Sequence, residues 1–146
     1  MKTVFELLGR VSLSLIFLLS CVNKILNWDA SHDFLVGGLS SWQGHAADVI
    51  QIQQVVQFLL PLTPLLLIIG TLFEGVGGLL ILLGIKSKLG ATLLILFLIP
   101  ATLIFHPFWA IQGPDRELQM ILFLKNLAIF GGLCLMMASQ GKGGKP

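Results

Sequence analysis

Residues 65–85 read LLLIIGTLFEGVGGLLILLGI, twenty-one residues in which Glu74 is the only charge. A helix of roughly 20 apolar residues crosses about 30 Å of hydrocarbon. A carboxylate at the centre of such a helix costs about 3 kcal/mol on insertion scales, so it is found paired and facing protein. The stretch therefore predicts a membrane span whose one acid is turned toward other helices.

The rest of the chain agrees with that class. Of 146 residues 55% are hydrophobic and 11% charged, against about 25% charged in a soluble domain, and the mean hydropathy is +0.93. The net charge of +2 is small and scattered, which excludes a nucleic-acid surface and leaves the basic residues as topology signals. Spans are predicted at 4–25, 59–84, 89–105 and 118–139. Pro61 and Pro64 sit at the entrance of the second, where a missing N–H is tolerated. His106-Pro107 closes the third, because proline disfavours helix in the residue before it. Lys2, the apolar run at 11–19 and Leu18-Leu19-Ser20-Cys21 mimic a secretory leader, but Arg10 interrupts the expected apolar core, and 4–25 reads as a span.

With alternating spans, Lys2, Lys86, Lys88, Lys142 and Lys145 fall on one side of the bilayer. Asp29, Asp33, Asp48, Asp115 and Glu117 fall on the other, with Trp28, Trp42 and Trp109. The excess of lysine predicts that both termini are cytoplasmic. The segment 27–58 is too polar to span. Within it Val49, Ile52, Val55 and Val56 recur at helical spacing opposite Gln51, Gln53, Gln54 and Gln57, which predicts an amphipathic helix or an outward extension of the second span. The fold class is thus an all-α membrane protein, a four-helix bundle in one domain over 1–146 with an additional helix in the first non-cytoplasmic loop.

Polar residues gather on one face of each span at 100° per residue. Arg10, Ser14, Phe17, Cys21 and Lys24 share a stripe in the first. Gly70, Gly77 and Gly84 share a face with Glu74 in the second, where glycine admits a neighbouring backbone. Thr92, Thr102 and His106 share one in the third, and Lys125 and Gly132 in the fourth. Counting depth along the helices, Arg10 is the first expected partner of Glu74 and Lys125 a competitor, with Asn126 a donor to another helix; these four make a buried polar site. Asn23, Lys24, His106 and Trp109 are expected to form an outer vestibule above it. For each vestibule residue the alternative is a helix-end side chain snorkelling to the interface.

Several motifs occur in order: an arginine early in the first span, Ser-x-x-x-Lys at its outer end (Ser20 to Lys24), Glu-x-x-Gly-Gly-Leu-Leu (Glu74 to Leu80), Phe-His-x-Phe-Trp (Phe105 to Trp109) and Leu-Lys-Asn-Leu-Ala (Leu124 to Ala128). In this the chain resembles the DoxX family over nearly its whole length. Cys21 stands where the family commonly has glycine, and Pro107 where it has a polar residue. The resemblance implies a four-helix protein of the bacterial inner membrane. Relatives include proteins similar to a membrane subunit of thiosulfate:quinone oxidoreductase, proteins associated with thiol and oxidative-stress defence, and distant sorting receptors.

The residues narrow the chemistry. A disulfide needs Cα atoms within about 7 Å, whereas Cys21 lies at the outer end of the first span and Cys134 deep in the fourth. His106 is the one histidine near a span, and neither a metal cluster nor a nucleotide loop nor a nucleophilic triad is present. Two readings stay open. In the first the chain is a membrane subunit binding quinone or a small thiol or sulfur compound, with no cofactor of its own and a soluble or membrane redox partner supplying electrons. In the second it is not an enzyme, and serves as a small-solute path, through homo-oligomerisation, or as a scaffold for partners.

Overall fold

The computed structural model describes residues 2–139. The elements are α1 (Lys2–Leu26), α2 (Trp28–His45), α3 (Ile50–Leu59), a 3-10 turn at Leu60–Leu62, α4 (Thr63–Leu83), α5 (Ser87–Phe105) and α6 (Asp115–Ser139). No strand occurs among the described residues. Thr3–Leu26, Ile50–Leu83, Ser87–Phe105 and Asp115–Ala138 are long and apolar enough to cross a membrane. This is an all-α membrane protein with four such helices, as the hydropathy predicts. Lys142 and Lys145, which enter the predicted orientation, lie outside the described residues.

α4 is the centre of the bundle, with α1 on one side and α5 on the other; α6 packs on α5. Of its buried residues, Thr63, Leu67, Thr71, Glu74, Gly78 and Ile81 recur every three or four positions, the period that puts them on one face, and Gly77 is buried beside them. Ile81, Ala91, Leu94 and Leu133 are wholly buried and, with Phe17 and Leu98, form the core. Glycine sets how closely the helices approach. A Cβ on Gly77 would lie 3.0 Å from the Gly90 carbonyl oxygen, and one on Gly90 would lie 2.8 Å from that of Gly77, so α4 and α5 touch backbone to backbone. On the other flank Gly78 admits Leu18 and Gly75 admits the sulfur of Cys21, which fixes α1 against α4.

Helix ends follow local chemistry. Gly84 ends α4 in the left-handed conformation, φ 70°, with its N–H donating to the Ile81 carbonyl; this is the position glycine fills most readily. α5 ends at His106-Pro107 as predicted, and it carries Pro100 in its interior. Proline there removes the backbone hydrogen bond to the carbonyl four residues back. Asp115 and Glu117 occupy the first turn of α6, where the helix dipole favours acids.

Segment 27–58 differs from its sequence reading. It holds two helices, not one. α2 follows α1 after the single residue Asn27 and lies across the end of the bundle where α4 begins and α5 ends. His32 is 3.0 Å from the Thr63 hydroxyl, Trp42 Nε1 donates to the Ile104 carbonyl at 3.2 Å, and Phe34 stacks on Phe105 at 4.6 Å. Gly38 leaves the space that the Phe105 ring occupies. α3 is the helix that the spacing of the valines predicts, and it runs through the 3-10 turn into α4. Val56 is buried, but Val49 and Val55 are exposed. Gln53, assigned to the polar face, instead ties α3 to the end of α2 by donating to the carbonyls of Gln43 and Ala46.

Candidate functional site

Glu74 sits halfway along α4 and is 1% exposed. Its partner is Lys24: Nζ lies 2.7 Å from Glu74 Oε2. The same ammonium donates to Ser20 Oγ at 2.7 Å, one helical turn back on α1, and stands 5.2 Å from the centre of the Phe97 ring. The ion pair is therefore held by three helices at once. Cys21, beside it, donates to the Thr71 carbonyl at 3.5 Å, and Thr71 turns its own hydroxyl back to Leu67 at 2.7 Å.

Arg10, the partner expected from helix depth, is not at this site. Its guanidinium lies against Gly84, where a Cβ would collide with it. The physical reason is register. Leu18 packs on Gly78 and Cys21 on Gly75, so α1 runs about three turns past the end of α4 and the Arg10 side chain reaches that end. A cation is favourable there, beside the last carbonyls of a helix. The same shift lowers Lys24 from the rim to the level of the buried acid.

The remaining residues of the expected polar site separate. Asn126 is buried and donates to Thr102 Oγ1 at 3.0 Å, while Thr102 donates to the Leu98 carbonyl at 2.6 Å; this joins α6 to α5. Lys125, its neighbour in sequence, is exposed on the outside of α6, and among the described residues its side chain has no hydrogen-bond or ion-pair partner. The expected vestibule also divides. Asn23 and Lys24 line the cavity described next. His106 instead pairs through Nδ1 with Gln119 at 2.8 Å, and Trp109 joins Phe108, Phe123 and Trp42 in an aromatic cluster that clasps the link before α6.

Above Lys24 lies a cavity of about 760 Å³ between α1, α2, α4 and α5, within the few hundred to a thousand Å³ of small-molecule sites. Phe34, Phe73, Phe97, Phe105, Leu66 and Ile104 make its wall apolar, and Ser20, Asn23, Lys24, Asn27 and Ser31 supply polar groups along one side. Lys24 is the one charged residue in that lining. The residues of α2 in this wall were missed from sequence, because α2 itself was. The signal for Lys24 was present in Ser20-x-x-x-Lys24, whose spacing puts both on one helix face. A second cavity, about 160 Å³ between α5 and α6, is lined by Leu98, Phe123, Phe130 and their apolar neighbours with Thr102 and Asn126. Among the described residues no cluster of His, Cys, Asp or Glu could hold a metal ion, and Cys21 and Cys134 are free.

Four membrane-length helices, three of them holding a Lys–Glu pair whose acid is buried, with an apolar cavity above it, define an integral multi-pass membrane protein. The family model described as DoxX matches residues 5–107, which take in nearly all of α1 and the whole of α2 to α5. The chain belongs to the DoxX family. α6, with the Leu124 to Ala128 motif, lies beyond the matched residues. No curated protein and no solved structure matches the chain.

Proposed function

We propose that this protein is a membrane subunit of the bacterial inner membrane that binds a neutral, largely apolar carbonyl compound of the quinone class in the cavity above Lys24. The observation that carries the reading is the ion pair at the cavity wall. Lys24 has three N–H donors, of which Ser20 and Glu74 take two; the third is left for an acceptor in the cavity. Because Glu74 balances its charge, and the other polar lining residues are uncharged, the site has no surplus positive charge with which to hold an anion. A carbonyl acceptor on a flat apolar ring suits it better than an anionic sulfur compound. Phe34, Phe73, Phe97 and Phe105 offer faces and edges against which such a ring packs. Ile69 and Leu96, mid-span residues that line the cavity, are exposed, which favours entry from the lipid. Quinone would supply the redox chemistry when bound; the chain's part is to hold the ring and set a hydrogen bond at its carbonyl. Electrons come from a partner protein.

The orientation belongs to the same proposal. The exposed Lys86 and Lys88 lie at the turn between α4 and α5, while Asp29, Asp33, Asp115 and Glu117 lie at the opposite end, so the α2 end faces away from the cytoplasm. Protein extracted in mild detergent should retain quinone, detectable in a solvent extract. Lys24→Met should lose it, and His106→Ala, away from the cavity, should keep it. A wild-type preparation that retains none and takes up none when quinone is added sinks the reading.

A further inference from the structure

Lys125 is the second charge set deep in an apolar helix, and the ligand reading makes no use of it. It stands ten residues from the start of α6 and fourteen from its end, about 10 Å below Leu118 at 1.5 Å per residue. Leu118, Ile121 and Ala128, which share its face at 100° per residue, are exposed, so this is a face that meets lipid in the isolated chain. An ammonium at that depth is costly without a partner. We infer that the exposed face of α6 around Lys125 docks a transmembrane helix of a different protein that carries an aspartate or glutamate at the same depth.

Charge complementarity selects this occupant. A second copy of the chain packed symmetrically on this face would set Lys125 against Lys125. The chain's own mid-span carboxylate, Glu74, is buried and already paired with Lys24. Glu6 lies in the second turn of α1, near the opposite end of the bundle, too far along the axis to meet Lys125 in a parallel arrangement. The face is also shaped for close approach. Ala128, three residues on from Lys125, is small and exposed; small residues beside a polar one are how membrane helices bring backbones together. Gly132, two turns further along the same face, is already used: a Cβ there would lie 3.3 Å from Leu13 of α1. The docking face therefore begins where α1 leaves off.

A synthetic helix of leucine and alanine with one glutamate at its midpoint serves as the probe, with glutamine and leucine versions as controls. Labelled probe and full-length protein are combined in phosphatidylcholine vesicles and their association is read by resonance energy transfer. The glutamate helix should bind about tenfold more tightly than the leucine helix, in line with the strength of interhelical polar contacts. Lys125→Leu should erase the difference and Lys125→Arg should keep it. Equal binding of the glutamate and leucine helices overturns the inference, as does a preference that survives Lys125→Leu. Self-association of the protein that depends on Lys125 would assign the face to a second copy instead. Loss of glutamate-helix binding on adding phosphatidylglycerol would assign Lys125 to lipid headgroups; either result overturns the protein partner.

Discussion

Glu74 and Lys125 are both charges near the middle of apolar helices, and their surroundings are opposite. Glu74 is 1% exposed, gripped by Lys24, and backed by Ser20 and Phe97 on two other helices. Lys125 lies on the outside of α6 with no partner among the described residues. The helices that carry them differ in the same way: a third of the most apolar window in the α3–α4 stretch is buried within the chain, against 6% for α6. An intramembrane charge thus has two modes of accommodation, one internal to the bundle and one that looks outward. The matched family region, residues 5–107, contains the first and not the second.

The largest effect should come from breaking the internal pair. Glu74→Ala leaves the half-buried Lys24 ammonium unpaired at the cavity wall and should lower the stability of the detergent-solubilised protein by about 3 kcal/mol, the low end of the cost of leaving a buried charge unpaired. Lys24→Ala should cost a comparable amount, and the double variant less than the sum of the two, in an equilibrium unfolding cycle. Simple additivity would dissolve the pair and with it the contrast to Lys125. Next comes Gly77→Val, which drives a branched side chain into the Gly90 carbonyl and should cost about 1–3 kcal/mol by overpacking, measured in the same way. Asn126→Leu removes the link to Thr102 and should cost about 0.6 kcal/mol, the average found for interhelical hydrogen bonds in membranes. Smallest of all, Lys125→Leu should change the unfolding free energy of the isolated protein by less than about 0.5 kcal/mol, as for a surface residue. A loss as large as that of Glu74→Ala would mean that Lys125 is an internal strut after all.

The same pair of charges marks what could be read in the sequence. The spans were legible because apolar runs of membrane length have one interpretation, and the burial of Glu74 followed from the cost of leaving a carboxylate in lipid. The identity of its partner was not legible. Depth counted from helix ends put Arg10 beside Glu74, but helices in a bundle need not end level, and it is Gly75 and Gly78 that slide α1 into the register where Lys24 arrives instead. α2 was hidden for another reason. Phe34, Leu39 and Trp42 are scattered among Gly, Ser and Asp, and what holds them helical is contact with Phe105, Ile104 and Trp109, which local pattern does not contain. The cavity wall contributed by α2 was lost with it.

The placement of Pro100 has a mechanical consequence. α4 and α5 are pressed together at one end, where Gly77 and Gly90 meet backbone to backbone, and toward the other end Gly70, Phe97 and Pro100 border the cavity. Proline leaves the Leu96 carbonyl without its usual N–H, so α5 is easiest to bend on the cavity side of the joint. The pair is thus stiffest where the glycines meet and softest at the proline beside the cavity.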